Sequence, residues 1–149
     1  MKNNPLDLTL EIQVACEDEY IPEQTKIETW VTAALNHRCE TAEIGIRLVS
    51  ATEIAELNQN YRNKAGPTNI LSFAYSKQPL SGDMAICASI VNQEAKTAGL
   101  EKNAHWAHII VHGVLHLLGF DHEEDNEAEV MEKLETKILS TLGVSDPYE

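Results

Sequence analysis

Positions 106–118 hold only tryptophan, alanine, isoleucine, valine, leucine, glycine and histidine, with no formal charge among them beyond the imidazoles. A run apolar on all sides reads as a buried helix, and a helix fixes the spacing of the histidines inside it. His112 and His116 are four positions apart, about 40° around a helix axis and roughly 6 Å along it, so both side chains can reach one ion. His108 stands eight positions before His116, roughly 12 Å along the axis, too far to share that ion. Any third ligand must therefore come from beyond the helix. Gly119 supplies the means, because a glycine just past the last periodic residue takes the left-handed conformation that ends a helix and turns the chain. The turn would deliver His122. Three imidazole nitrogens at ~2.0–2.1 Å would leave a zinc ion one position short of tetrahedral, which marks a catalytic site rather than a closed structural one. Water in the open position would have its pKa drawn towards ~7.

The block 112–122 matches the zinc-peptidase pattern H-E-x-x-H-x-x-G-x-x-H at every position but one: Gly113 stands where those enzymes carry glutamate. That glutamate is the general base that activates water against an amide. Met131 falls in a helical segment and supplies no methionine turn. Peptide hydrolysis is thus the secondary expectation.

The chain has 149 residues, 43% of them hydrophobic, which is enough for one good core and calls for no second domain. We therefore expect residues 1–149 to form a single metal-dependent domain. Positions 1–7 have no apolar segment of the kind that leads a secreted chain, and no window approaches a membrane span. Cys16, Cys39 and Cys87 are odd in number and widely separated, so neither a disulfide framework nor a cysteine zinc site is indicated. Reduced thiols in the cytoplasm are the default. The formal charge of −13 argues against tight nonspecific binding to a polyanion. Much of the acid is concentrated at Glu123, Glu124, Asp125, Glu127, Glu129, Glu132 and Glu135, which read as a solvated face. Arg62 and Lys64 form a small cationic cluster elsewhere.

Leu6, Leu8, Leu10, Ile12 and Val14 alternate with polar residues, the period of a half-buried strand, and Ile44, Ile46 and Leu48 repeat it. Between them Pro22 opens a helix with the stripe Ile27, Trp30, Val31, Ala34 and Leu35. Ser50 and Glu53 have capping-box spacing for a helix to about position 61. A loop over 61–68 leads to a strand at 70–75, a turn over 78–83 and a fourth strand at 84–87. Helices follow at 89–98 and from about 104. A last helix, capped by Asn126, carries Met131, Leu134, Ile138 and Leu142 and stops at Gly143. The order predicts an α+β fold: one mixed sheet of about four strands packed by helices, with the metal site on a helix-turn. No dinucleotide or phosphate-loop glycine motif and no nucleophile elbow is present.

Leu57-Asn58 with Tyr61-Arg62, then Lys64, residues 67–73 (PTNILSF), residues 82–86 (GDMAI) and the block 112–122 occur in an order and spacing that resembles the YbeY-type endoribonucleases, rRNA maturation factors. The resemblance spans about 54–142. It implies a zinc-dependent, single-strand-specific endoribonuclease of the cytoplasm, acting in rRNA processing, notably 16S rRNA 3′-end maturation, and in ribosome quality control. It implies rRNA and the small ribosomal subunit as partners, with ribosome-assembly factors as further candidates, and no DNA or membrane. Two positions depart from the family pattern: Ala65 and Asn69 stand where aspartates are common. The residues themselves leave three classes open, namely endoribonuclease, metallopeptidase, and a zinc-stapled ribosome-assembly factor that cuts nothing.

Arg62 is the expected catalytic side chain, since a guanidinium forks onto phosphate oxygens and can stabilise charge building up on phosphorus. Lys64 is a weaker candidate for a phosphate contact. Tyr61, at a helix end, reads as core more readily than as a base-stacking ring. Phe73 and Tyr75 read as packing, and His105 and His108 as structural. Ser72 either lines the cleft or satisfies a backbone group, Asp83 suits a turn, and Asp121 could orient a ligand histidine.

Overall fold

The computed structural model describes residues 6–17, 19–121 and 124–148. Its elements are β1 (Asp7–Val14), α1 (Gln24–Leu35), β2 (Thr41–Val49), α2 (Ala51–Arg62), β3 (Ile70–Lys77), β4 (Leu80–Cys87), α3 (Ala88–Ala98), α4 (Lys102–Leu117) and α5 (Asp125–Thr141). The α+β order expected from periodicity is therefore observed. The sheet order is β1-β2-β4-β3, with β1, β2 and β4 parallel and β3 antiparallel to β4.

Local chemistry explains most boundaries. The stripe Ile27, Trp30, Val31, Ala34 and Leu35 is the buried face of α1. Ser50 caps α2, its hydroxyl oxygen accepting from the Glu53 amide at 3.2 Å, a contact whose loss typically costs about 0.5–2 kcal/mol. Gly119 has φ +105°. Its amide and that of Phe120 donate to the carbonyls of His116 and Leu115, both at 3.0 Å, which closes α4 and turns the chain.

Two boundaries differ from expectation. The turn over 78–83 is confined to Gln78 and Pro79, joined by a cis peptide bond, and Ser81, Gly82 and Asp83 belong to β4, where they pair with both neighbouring strands. A central strand needs continuous pairing more than it needs strong strand formers. At α5 the cap is Glu124, without a side-chain bond, and Asn126 lies inside the first turn.

One face of the sheet meets the large core. Ile44, Ile46 and Leu48 of β2 and Met84 and Ile86 of β4 pack there against Trp30 of α1, Trp106 and Ile110 of α4, and Met131 and Ile138 of α5. Each fully buried aliphatic or aromatic side chain stabilises the fold by about 1.5–3 kcal/mol. The opposite face is covered mainly by α2, through a small cluster of Val49, Ile54, Leu71, Ala85 and Cys87 flanked by Leu57, Phe73 and, from α3, Ile90. Among the described residues, no helix is long and apolar enough to cross a membrane.

Candidate functional site

Helix α4 lies across β3 and β4, and Gly113 is a point of close approach. A Cβ there would sit 2.6 Å from both Ile70 Cδ1 and Met84 Sδ. Gly113 is also buried, so the position that carries the base in zinc peptidases faces the sheet here. The neighbouring turns of α4 present His108, His112 and His116 to a cleft of about 650 Å³ beside β3. Arg62 and Lys64, from the end of α2 and the loop after it, line the same cleft with Ser72, Asp121 and Tyr148. Two separated stretches of chain thus place imidazoles and cations around one volume.

The Nε2 atoms of His112 and His116 face each other at 3.1 Å, with ring centroids 4.6 Å apart. Nitrogens so spaced can both lie ~2.0–2.1 Å from one ion. Two of the three expected ligands are therefore brought together. The third, His122, lies outside the described residues. Behind this pair, His112 donates from Nδ1 to Glu135 Oε2, and Tyr148 donates its hydroxyl to Glu135 Oε1. His108 Nε2 is 3.7 Å from the same carboxylate. His108, His112 and Glu135 offer ligand atoms within 4.8 Å of one another, a group that could itself hold a metal ion.

Glu135 corrects the expectation of a solvated acidic face. It is wholly buried, because it shares the inward stripe of α5 with Met131, Ile138 and Leu139. Burial pushes its carboxyl up, but the nearby His108 imidazole and the hydrogen bonds from His112 and Tyr148 outweigh that and hold it at about 2. The Tyr148 phenol is driven well above its usual range by burial and then by the Glu135 charge it touches. His108 likewise departs from its structural reading: it borders the cleft and faces both Glu135 and the Tyr148 hydroxyl, the latter at 3.3 Å. Glu135 and Tyr148 were missed in sequence, although the spacing Met131-Glu135-Ile138 placed the glutamate on the apolar stripe.

The remaining candidates divide clearly. Ser72 donates to the Gly113 carbonyl at 3.3 Å, so it both lines the cleft and satisfies a backbone group. His105 stays structural: its Nε2 pairs with Glu94 at 2.9 Å, and Glu94 also accepts from Asn69 at 3.3 Å. Among the described residues its buried Nδ1 has no hydrogen-bond partner, which fits a tautomer with the proton on Nε2. Phe73 is partly buried against the small cluster, as expected of packing. Tyr61 and Tyr75 are not core: they are 70% and 67% exposed, since α2 covers only part of its sheet face. Asp83 lies within β4 rather than at a turn and accepts from the Tyr75 hydroxyl at 2.8 Å.

The fold is similar to that of TM1509 from Thermotoga maritima, known from a solution structure. The two share 23% sequence identity with a TM-score of 0.60, covering 95% of this chain and 99% of that one. At this identity the likeness speaks for the fold alone. The sequence carries more: the family model for Endoribonuclease YbeY matches residues 11–143, a stretch that includes the α2 cations, β3, β4 and the α4 histidines, and the chain belongs to the YbeY endoribonuclease family.

Proposed function

We propose that residues 1–149 act as a single zinc-dependent domain that cuts single-stranded RNA, with His112, His116 and His122 as metal ligands and Arg62 as the catalytic cation. The family is one of endoribonucleases, so the substrate is RNA. The observation that carries the site is the facing pair of Nε2 atoms at 3.1 Å in a cleft shared with Arg62 and Lys64. When bound, the ion would supply Lewis-acid polarisation of a phosphate oxygen or of water.

The chain's own groups do the rest. Glu135 accepts from His112 Nδ1, which leaves the lone pair on Nε2, turned towards His116, and raises its basicity. That favours Glu135 as the group that orients a ligand over Glu135 as a ligand itself. Arg62 forks onto the non-bridging phosphate oxygens and stabilises the charge that grows there. Lys64 contributes a point charge along the strand. With Gly113 against the sheet, the peptidase base has no place in the cleft. The biological setting we propose is the cytoplasm, in rRNA processing on the small ribosomal subunit, including 16S 3′-end maturation and ribosome quality control.

The test is purified, zinc-loaded protein offered single-stranded and structured rRNA and, separately, an unfolded protein, with product ends mapped. RNA should be cut and protein left intact. Arg62→Ala should lower the single-turnover rate at saturating RNA by about a hundredfold or more, with zinc content unchanged. A rate within about threefold of wild type would remove Arg62 from the chemistry. Intact RNA, with retained co-sedimentation on ribosomal subunits, would make the protein a zinc-stapled assembly factor.

A further inference from the structure

The face of the sheet away from the histidines holds a second concavity, a groove of about 450 Å³ between α2, β2, β3 and β4. Its walls are rings: Tyr61 and Phe73 meet edge to face at 5.5 Å, and Tyr75 stands further along β3. Two of those rings are mostly exposed, Tyr61 at 70% and Tyr75 at 67%, so packing within the protein does not account for them. On the floor, Gly45 of β2 leaves room for the Asp83 carboxylate to lie over the strand, since a Cβ there would stand 2.5 Å from Asp83 Oδ1. Glycine inside a strand often marks a place where something approaches closely. Asp83 and Glu11 bring hydrogen-bond acceptors to the groove, and Arg47, paired with Glu53 at 2.6 Å, brings a guanidinium.

The groove and the histidine cleft flank the same edge of the sheet, one on each face. Strand β3 is the edge strand, and its side chains alternate between the two hollows: Ser72 and Ala74 line the cleft, Phe73 and Tyr75 the groove. The end of α2 repeats the division, with Tyr61 in the groove and the adjacent Arg62 in the cleft. Arg62 in the cleft and Tyr61 in the groove are thus consecutive residues on either side of the same sheet edge.

We propose that this groove is a nucleobase subsite of the RNA substrate, in which an unpaired base beside the scissile phosphate folds over β3 and stacks on Tyr61 and Tyr75. It rests on the ribonuclease reading and adds to it a specificity element outside the metal cleft. Single-stranded RNA is read mainly by splaying bases onto aromatic side chains. Acceptors at Asp83 and Glu11 favour a base with an exocyclic amino group over uracil, as carboxylates do with cytosine N4. The acidic balance of the groove repels phosphate and so keeps the backbone on the Arg62 side.

The experiment uses zinc-loaded protein and short single-stranded RNAs carrying one abasic residue at each position around the cut. In wild type, one position beside the cut should raise KM by about five- to a hundredfold when abasic. The Tyr61→Ala/Tyr75→Ala variant should show that rise with intact RNA and lose all further sensitivity to the abasic residue, with kcat at saturation unchanged. Tyr61→Phe/Tyr75→Phe should keep the abasic penalty, since both rings remain. Uracil at that position should cost KM in wild type and cost nothing in Asp83→Ala. An abasic penalty equal in wild type and the double-alanine variant, or no position that matters, overturns the subsite while leaving the nuclease intact. If the loaded wild type cuts no RNA, the ribonuclease reading fails by itself. The subsite is then decided by 2-aminopurine in bound RNA, whose fluorescence should be quenched by wild type and restored with the double-alanine variant. Unquenched fluorescence in wild type overturns it.

Discussion

Ser72 and Phe73 are neighbours in β3, yet they belong to different surroundings. Ser72 turns towards α4 and donates to the Gly113 carbonyl, while Phe73 turns towards α2 and meets the edge of Tyr61. On the α4 side the sheet is tightly covered and its polar groups are tied to buried partners, Glu135 above all. On the α2 side the buried cluster is small, and rings stand in the open. The difference teaches where each kind of work can be done. Orienting a metal-binding imidazole to a fraction of an ångström needs side chains locked by packing. Recognising a base needs an accessible flat surface that tolerates different occupants.

The largest effect that could break this contrast is expected at Gly113. Gly113→Glu would push a carboxylate towards Ile70 and Met84, where a single added Cβ already stands 2.6 Å from both. An uncompensated buried charge typically costs about 3–5 kcal/mol, and at about 2–4 °C per kcal/mol for a domain near 150 residues the Tm should fall by roughly 6 °C or more. No peptidase activity should appear. A variant as stable as wild type, seen by calorimetry, would show that the α4 face is loosely packed and that the contrast is false.

Glu135→Gln should have a smaller effect, and one that sharpens the assignment of roles on the α4 side. If Glu135 orients His112 through Nδ1, losing its charge should weaken zinc binding by about tenfold to a hundredfold, read by chelator competition. The KM penalty of an abasic RNA should stay as in wild type, because the rings lie across the sheet. If instead Glu135 binds the ion together with His108 and His112, stoichiometric zinc should vanish in Glu135→Gln and survive in His116→Ala.

These outcomes bear on what the sequence made legible. Helix α4, its glycine stop and the pairing of His112 with His116 are local properties, set by a helical repeat within a few turns, and they were readable without any tertiary knowledge. The strand faces were readable too, since alternation in β1 and β2 marks one side as apolar. Glu135 was hidden because its meaning depends on His112, 23 positions away, and because acids at 123–132 mask the one that turns inward. Tyr61 and Tyr75 were misjudged for a related reason. Alternation says which face of a strand a residue occupies, but coverage of that face depends on where α2 ends, and α2 ends at Arg62. Tyr148 had no signal at all, lying beyond the last helix in a segment without periodicity.

The smallest expected effect lies on the open side and probes the floor of the groove. The Tyr75 hydroxyl donates to Asp83 at 2.8 Å. That bond first, then partial burial and the Asp83 charge, raise the phenol above its usual value near 10. The sign is that of a group held in its protonated form. Its contribution to folding is fully present below the unfolded pKa near 10 and is lost as pH climbs through the higher folded value. Because Tyr75 is 67% exposed, water screens the interaction and the contribution is small. The protein has four tyrosines, so the phenolate absorbance of wild type minus that of Tyr75→Phe isolates this one. The difference curve should rise above pH ~10, and Asp83→Asn should move it back down by removing the charged acceptor. A midpoint at the ordinary value in otherwise wild-type protein would mean that the Tyr75–Asp83 bond does not persist in solution. Asp83 would then meet a base without Tyr75 as a competing donor, and base preference in the groove would rest on Asp83 more than on the Tyr75 hydroxyl.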